Sequence, residues 1–244
     1  MSGIKALNRI VSGPIRFSLK DINPKKIGLF LKDGSINFKN QETAIEYAMN
    51  RCRTALQGPK PFERGVNIKG SRVIQEIQGA ETEIRTNNFT EVFVHGHPDF
   101  EFYPKGVTNA VSPSDYEALI SRNCIKKIYA INSKGEYYKM EKTPRFDYSK
   151  VNPGKAFGDF NTKYYQTVYG GEDAPLEYQE IVRECFQKQD WYYYLDNITP
   201  IGRQYENSSS PPKFVINGLH KFWVKFGKLF GVTVETNFSH FRNL

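Results

Sequence analysis

The sequence predicts an α+β protein in which helices pack on a central β-sheet, and three patterns lead to that prediction. The first is a series of short apolar runs separated by turn signals over residues 61–97, which is typical of consecutive strands. The second is the segment from Gln41 to Leu56, where apolar residues recur at helical spacing until Gly58-Pro59 ends the pattern. The third is a hairpin pattern from Ile125 to Met140, with its turn at Ser133-Lys134-Gly135.

The chain has 244 residues, which is enough for one large domain with substantial extensions. We expect residues 1–60 to form an N-terminal extension whose helix packs on the core. Residues 61–142 are expected to form the core, and residues 143–244 a C-terminal helical extension. Within the first segment, Ile27 to Leu31 is a short apolar run and Ser35 to Phe38 alternates as a strand would.

The C-terminal extension is expected to contain two helices and a short strand. One helix is predicted from Glu177 to Lys188 and the other from Leu219 to Phe230, which Gly231 would terminate. A short strand is expected from Val232 to Val234. The segment from Pro144 to Gly154 is rich in turn-forming residues, so we expect a loop or linker there.

The segment from Leu219 to Phe230 has the strongest amphipathic pattern in the chain. Its expected apolar face comprises Leu219, Phe222, Trp223, Phe226, Leu229 and Phe230, and its expected polar face carries Lys221, Lys225 and Lys228. A basic amphipathic helix can bind a membrane or a partner protein. We expect instead that the apolar face is buried within the domain.

Composition and charge limit the classes of function. The net charge of +8 permits contact with nucleic acid or an acidic surface, but a basic surface often serves only solubility, and we do not expect a nucleic-acid partner. The chain lacks an apolar run of about 18 residues, so no membrane span is expected. The start of the sequence lacks the apolar core of a secretory signal, which predicts a cytoplasmic location. The three cysteines contain no CxxC pair, and we expect Cys52 and Cys124 to be core thiols.

Two histidines end a predicted strand. Val92, Phe93 and Val94 are typical of a buried strand, and His95-Gly96-His97-Pro98 follows them. Residues two apart on a strand point to the same side, so the two imidazoles should project together. Pro98 cannot donate to a ladder and should end the strand. The pair is suited to form half of a zinc site.

A helix start lies 15 residues further along the chain. Ser112 is placed as the N-cap, Pro113 as the first helical residue and Asp115 as the third. A sequence of this kind can begin a helix without having any functional role. Taken with the two histidines, however, it supplies a carboxylate and a hydroxyl to a site that already has two imidazoles. A catalytic zinc needs three protein ligands and one open position.

This combination resembles the signature of the JAMM metallopeptidases, also called MPN-plus or JAB-domain proteins. That signature is a distant glutamate, then His-x-His-Pro, then Ser-x-x-Asp, and the resemblance covers about residues 61–142. It implies a JAB/MPN-like mixed β-sheet flanked by helices. The gap before the aspartate is longer here than in the family, so residues from about Phe100 to Ala110 are identified as an insertion that could shape a substrate groove.

The resemblance also implies a mechanism. Zinc would be bound by His95, His97 and Asp115, and Ser112 would donate a hydrogen bond to the oxyanion of the tetrahedral intermediate. The family's glutamate would act as the general base, taking a proton from the attacking water and passing it to the departing amine. The implied substrate is a peptide or isopeptide bond, including one between lysine and ubiquitin or a ubiquitin-like modifier.

The family's glutamate lies on an early strand before the histidines, and four glutamates of this region are candidates for the general base: Glu63, Glu76, Glu81 and Glu83. We assign Glu63, because it starts the first strand of the antiparallel run and is followed by the turn and strand pattern of JAB-type sequences. Glu76 is the second choice. Either side chain is also compatible with an ordinary surface carboxylate.

Two alternative functions stay open. One is a JAB-like module without catalytic activity that binds a protein partner, which would gain support if no glutamate reached the metal. The other is a metal-dependent phosphoesterase or nuclease, which would need further clustered ligands for a second metal. The remaining histidines, His220 and His240, are distant in sequence and are expected to be structural or exposed.

Overall fold

The structure is a computed structural model. It describes residues 29–31, 33–79, 89–98, 111–151, 158–189, 193, 196–206, 211–238 and 241. The segment from Phe100 to Ala110, the carboxylates of Glu81 and Glu83, and His240 all lie outside the described residues.

The described residues form one eight-stranded mixed sheet. Its strands are β1 (Leu29–Phe30), β2 (Ile36–Asn37), β3 (Arg64–Lys69), β4 (Arg72–Gln78), β5 (Val92–Gly96), β6 (Lys127–Ile131), β7 (Tyr137–Lys142) and β8 (Val232–Thr236). Their order across the sheet is β1-β2-β4-β3-β5-β6-β7-β8. The strands β5 and β6 are parallel, and the other neighbouring pairs are antiparallel.

Seven helices have their bounds in the described part of the chain. They are α1 (Gln41–Leu56), α2 (Pro113–Ser121), α3 (Tyr148–Val151), α4 (Asp159–Val168), α5 (Leu176–Lys188), α6 (Thr199–Glu206) and α7 (Lys213–Phe230). The helix α2 lies in the crossover that connects the parallel strands β5 and β6. The prediction of an α+β fold with a mixed sheet flanked by helices is confirmed.

The sheet separates two apolar layers. On one face, helix α1 packs against β3, β5 and β6 through residues that include Ala48, Cys52, Val66, Val94 and Ile131. On the other face, the larger core contains side chains from α2, α4, α5 and α7, among them Leu119, Phe160, Val182, Phe222 and Trp223. Strand residues alternate between these layers, as the period of two requires. Val92 and Val94 contact the α1 layer, whereas Phe93 lies in the larger core.

Helix α7 confirms most of the amphipathic prediction. Leu219, Phe222, Trp223 and Phe230 are buried, so the apolar face does pack within the domain. Gly231 ends the helix in the left-handed region with φ 79°, as expected for a C-terminal glycine. The prediction was wrong for Leu229, which is 56% exposed because it lies at the edge of the apolar face, beside the lysines.

The prediction of an irregular segment between the core and the C-terminal helices was only partly correct. The described part of the predicted loop from Pro144 to Gly154 contains the single helical turn α3. Beyond it, helix α4 was not predicted. Its buried residues Phe160, Tyr164 and Val168 repeat every four positions, which is helical spacing, but turn-forming residues on either side obscure the pattern.

No helix among the described residues is both long and apolar enough to cross a membrane. Cys52 is fully buried, as predicted, and Cys124 is partly buried against the larger core.

Candidate metal centre

The end of strand β5 directs two histidines toward the N-terminus of helix α2. Gly65 of β3 pairs with His95 of β5, and Ala130 of β6 pairs with the same residue on the other side. The Nε2 atoms of His95 and His97 are 2.9 Å apart, so the two imidazoles do project to the same side of the sheet. The N–H of His97 donates to the carbonyl of Ile131, which continues the alignment with β6 past the last strand residue.

Gly96, between the two histidines, faces helix α1 instead. A Cβ atom at this position would lie 3.0 Å from Cδ1 of Leu56 and 3.4 Å from Cβ of Cys52. Distances in that range are tighter than ordinary van der Waals contact, so helix α1 packs directly on the glycine. The absence of a side chain at Gly96 therefore lets α1 lie close beneath the strand end that carries the histidines.

Asp115 completes the cluster from helix α2. Its Oδ1 atom lies 2.9 Å from Nε2 of His95, and its Oδ2 atom lies 3.5 Å from Nε2 of His97. All three residues are buried. Among the described residues, this trio is a group of potential metal ligands, with ligand atoms within 4.8 Å of one another.

The N-cap of α2 fixes the position of the Asp115 carboxylate. Ser112 has extended backbone, and its hydroxyl accepts a hydrogen bond from the N–H of Asp115 at 3.3 Å. In return, the N–H and the hydroxyl of Ser112 donate to Oδ2 of Asp115 at 2.7 and 2.9 Å. These reciprocal hydrogen bonds form a capping box. The sequence predicted its N-cap Ser112 and Pro113 at the first helical position. A carboxylate in the first turn is also favoured by the helix dipole.

The geometry of the trio fits a bound metal ion. In a tetrahedral site with bonds of about 2.0–2.1 Å, the ligand atoms are about 3.3 Å apart. The three separations here are 2.9, 2.9 and 3.5 Å. Adjustments of about half an ångström or less would therefore bring the ligand atoms to these separations. Two imidazoles and one carboxylate suit a transition metal better than calcium or magnesium, which prefer oxygen ligands.

Electrostatics within the trio explain how a buried carboxylate keeps its charge. Burial by itself would raise the pKa of Asp115, but the charges and hydrogen bonds of its partners, led by His95, lower that pKa well below its usual range. Burial would likewise lower the pKa of His95, yet its partners together, led by Asp115, outweigh burial and raise the net pKa of His95. A metal ion binding here would replace a proton on the imidazole, because only neutral imidazole is a ligand.

Glu63 lies on the same face of the sheet as the histidines. It immediately precedes β3, and continuing the pairing of Gly65 with His95 by two residues places Glu63 opposite His97. Residues directly opposite on antiparallel strands share a face. Glu63 is 7% exposed, and its charge is close enough to contribute to the raised pKa of His95. It lies outside the group of three potential ligands.

Glu76, the alternative glutamate, lies on the other face. It pairs with Val66, which in turn pairs with Val94 of the α1 layer. Its carboxylate accepts hydrogen bonds from Arg51 at 2.7 Å, from Arg64 at 2.9 Å and from the hydroxyl of Tyr47 at 2.6 Å. The sheet therefore separates Glu76 from the histidines, and its carboxylate is engaged in an ion-pair cluster under α1.

Two contacts around His95 were not predicted. The ring of Phe93 stacks on that of His95, with centroids 5.0 Å apart, and a spacing of two residues on one strand was a signal for it. On the other side of the ring, Nδ1 is buried, and the backbone of Tyr129 is close enough to help raise the pKa of His95. The proximity of Tyr129 depends on the pairing of β5 with β6, which the sequence did not indicate.

Outside the trio, His220 has a structural environment. Its Nδ1 atom is 2.9 Å from the hydroxyl of Tyr138, and its ring stacks on Phe241. It is therefore buried and hydrogen-bonded, in agreement with the expectation that it is not a ligand.

No protein-family model matches this chain, and comparison with curated proteins and with solved structures found no significant match to either.

Proposed function

We propose that this chain is a zinc-dependent hydrolase of the JAMM type that cleaves a peptide or isopeptide bond. The observation that carries the proposal is the convergence of four side chains on one end of β5. His95 and His97 come from that strand, Asp115 from the crossover helix, and Glu63 from the neighbouring strand end. The order and types of these residues are those of the family signature.

The trio supplies three protein ligands, which leaves a fourth tetrahedral position for water or substrate. Zinc bound there would act as a Lewis acid and make a water molecule acidic near neutral pH. The chain's own contribution is to hold the ligands in place before the metal arrives. The capping box of Ser112 with Asp115 does this for the carboxylate, and the ladder between β5 and β6 does it for the histidines.

Glu63 is the proposed general base. A general base must reach the proton directly or through one water molecule. Glu63 shares the face of the histidines without belonging to the ligand group, which fits a carboxylate beside the metal rather than on it. It would take the proton from the attacking water and give it to the departing amine. Its burial supports this role, because a buried carboxylate is shielded from bulk solvent.

The family resemblance implies that Ser112 donates a hydrogen bond to the oxyanion of the tetrahedral intermediate. Its hydroxyl donates to Oδ2 of Asp115 at 2.9 Å in this structure. A direct contact with substrate would require that hydroxyl to turn away from Asp115. The structure therefore supports at least a positioning role for Ser112, and the role toward substrate stays a proposal.

The substrate proposed is a protein or peptide, with a bond between lysine and a ubiquitin-like modifier as the first to assay. The experiment compares the parent chain with Glu63→Gln on a panel of ubiquitin-like fusions and lysine-linked chains, with zinc measured in parallel. We expect Glu63→Gln to retain zinc and to lose about 10²–10⁴-fold in cleavage rate, which is the usual contribution of a positioned general base.

The matched control is Glu117→Gln, because Glu117 is an exposed carboxylate on α2 only two residues from Asp115. It should cleave at the parent rate. If Glu63→Gln is as fast as the parent, the general-base assignment is wrong. If the zinc-loaded parent cleaves nothing on the panel, the protein-hydrolase proposal fails, and the alternative of a non-catalytic binding module takes its place.

A further inference from the structure

The exposed side of helix α7 carries a surface that the metal centre does not use. We define this basic apolar surface by Val224, Lys225, Lys228 and Leu229, with Lys163 of α4 beside them. Val224 and Lys228 are four residues apart, as are Lys225 and Leu229, and the two lysines are three apart. Residues at these spacings are neighbours on a helix, so the four side chains of α7 form one continuous patch.

The apolar members of the patch are exposed to solvent. Val224 is 52% exposed and Leu229 is 56% exposed, although the opposite side of the same helix is buried. Together with Tyr148, they make up three of the five exposed large hydrophobic side chains in the described part of the chain. Tyr148 follows Asp147, whose N–H donates to the carbonyl of Phe230, so it lies close to the same end of α7.

The two lysines of α7 in the patch have no acidic partner among the described residues. Helix α7 has four lysines and no aspartate or glutamate. Lys221, one turn before the patch, is neutralised by Asp173 at 2.7 Å. Within the part of the chain that the structure describes, Lys225 and Lys228 form no ion pair.

A third ammonium group is held at the same place by an aromatic ring. The Nζ atoms of Lys163 and Lys225 lie 5.8 and 5.2 Å from the ring centroid of Phe226. Cation–π attraction keeps both lysines beside the half-buried ring despite their like charge. The patch therefore combines three positive charges with two protruding aliphatic side chains.

We propose that the basic apolar surface docks on an anionic lipid bilayer. Lysines that reach the headgroups are attracted to the negative surface potential, and aliphatic side chains between them can enter the interface. The other side of α7 is committed to the core, so the contact would be shallow and peripheral. Single-stranded nucleic acid is a poorer fit, because it is bound mainly through exposed aromatic stacking platforms, whereas the protruding side chains here are valine and leucine.

The test is co-sedimentation of the full chain with phosphatidylcholine vesicles, prepared with and without phosphatidylserine. We expect binding only to the anionic vesicles, and loss of that binding at high salt. Each lysine near such a surface contributes roughly fivefold to partitioning, so Lys225→Glu with Lys228→Glu should weaken binding by about 30-fold or more. Leu229→Ser should weaken binding to the anionic vesicles by a factor that is nearly the same at low and high salt concentration.

The matched control is the double change Lys60→Glu with Lys69→Glu, which alters the net charge equally at two exposed lysines elsewhere. It should bind anionic vesicles almost as well as the parent does. The proposal is overturned if the parent does not bind anionic vesicles or if the two double variants bind equally. It is also overturned if the parent binds single-stranded or duplex nucleic acid and not the vesicles.

Discussion

Oδ1 of Asp115 lies 2.9 Å from Nε2 of His95, although the two residues stand on different elements of the crossover between β5 and β6. The strand end delivers the imidazoles, and the first turn of the next helix delivers the carboxylate. Neither element needs an irregular backbone to do so. The candidate ligand set is thus a direct product of the fold, at the C-terminal end of a parallel strand, where α/β proteins commonly bind ligands.

The first prediction concerns the cap of α2. Ser112→Ala removes the hydroxyl that donates to Asp115 and accepts from its N–H. Loss of an N-cap should lower the free energy of unfolding by about 1 kcal/mol. Loss of the hydrogen bond that orients a ligand should weaken metal binding by about 10–100-fold. Urea unfolding and competition with a chromophoric chelator measure the two effects.

The control is Ser114→Ala, an exposed position in the same first turn of the helix. Ser114→Ala should leave the free energy of unfolding and the metal affinity almost unchanged. Ser112→Thr keeps the hydroxyl, so it should retain much of the stability and the affinity that Ser112→Ala loses. If Ser112→Ala binds metal as tightly as the parent but loses peptidase activity, Ser112 acts on the substrate rather than on Asp115, as the family resemblance implies.

The second prediction concerns the ion-pair cluster of Glu76 under α1. Burial would raise the pKa of Glu76, but the charges and hydrogen bonds of its partners, Arg51 foremost, lower it. A depressed pKa in the folded state means that the ionised carboxylate stabilises the fold above its unfolded pKa of about 4.3. This stabilisation is lost as the pH falls through the folded pKa.

Glu76→Gln should therefore lower the free energy of unfolding at pH 7 by about 3–5 kcal/mol, because two buried arginines lose their counter-charge. The difference from the parent should shrink as the pH falls below about 4, where the parent loses the same charge. Urea unfolding across this range measures it. A difference that does not vary with pH would show that the charge of Glu76 is not the source of the stabilisation.

The third prediction concerns the contact between Gly96 and helix α1. Gly96→Val places side-chain atoms against Leu56 and should destabilise the fold by about 1–3 kcal/mol. Leu56→Ala creates space at the same point, so the two changes should be less damaging together than their sum. A double-mutant cycle of unfolding free energies measures this coupling. Strict additivity would mean that the helix does not rest on the glycine.

The ligand positions could be predicted from sequence because local rules determine them. The period of two on a strand brings His95 and His97 to one side, and cap chemistry places Asp115 in the first turn after Ser112. Both rules act over a few residues. The meeting of the two elements was the step that required the family resemblance, since 20 residues separate His95 from Asp115.

The choice between Glu63 and Glu76 depends on strand register, which sequence periodicity does not provide. Both residues adjoin or lie within predicted strands. Only the pairing of Gly65 with His95 and of Val66 with Glu76 shows that they face opposite layers. A shift of one residue in register would reverse their sides.

Local composition explains what the sequence interpretation missed in the fold. Helix α4 carries Phe160, Tyr164 and Val168 at helical spacing, but the turn-forming residues around it favoured a loop. Leu229 is exposed at the edge of the apolar face, and helical periodicity alone does not specify how wide the buried part of that face is.

The most direct test of the central claim is elemental analysis of the purified chain, compared with the double variant His95→Ala and His97→Ala. His220→Gln serves as the control, because it alters another buried histidine outside the trio. We predict one zinc ion per chain in the parent and in the control, and none in the double variant. A parent without a transition metal, or a double variant that still holds stoichiometric zinc, would contradict the assignment of this metal centre.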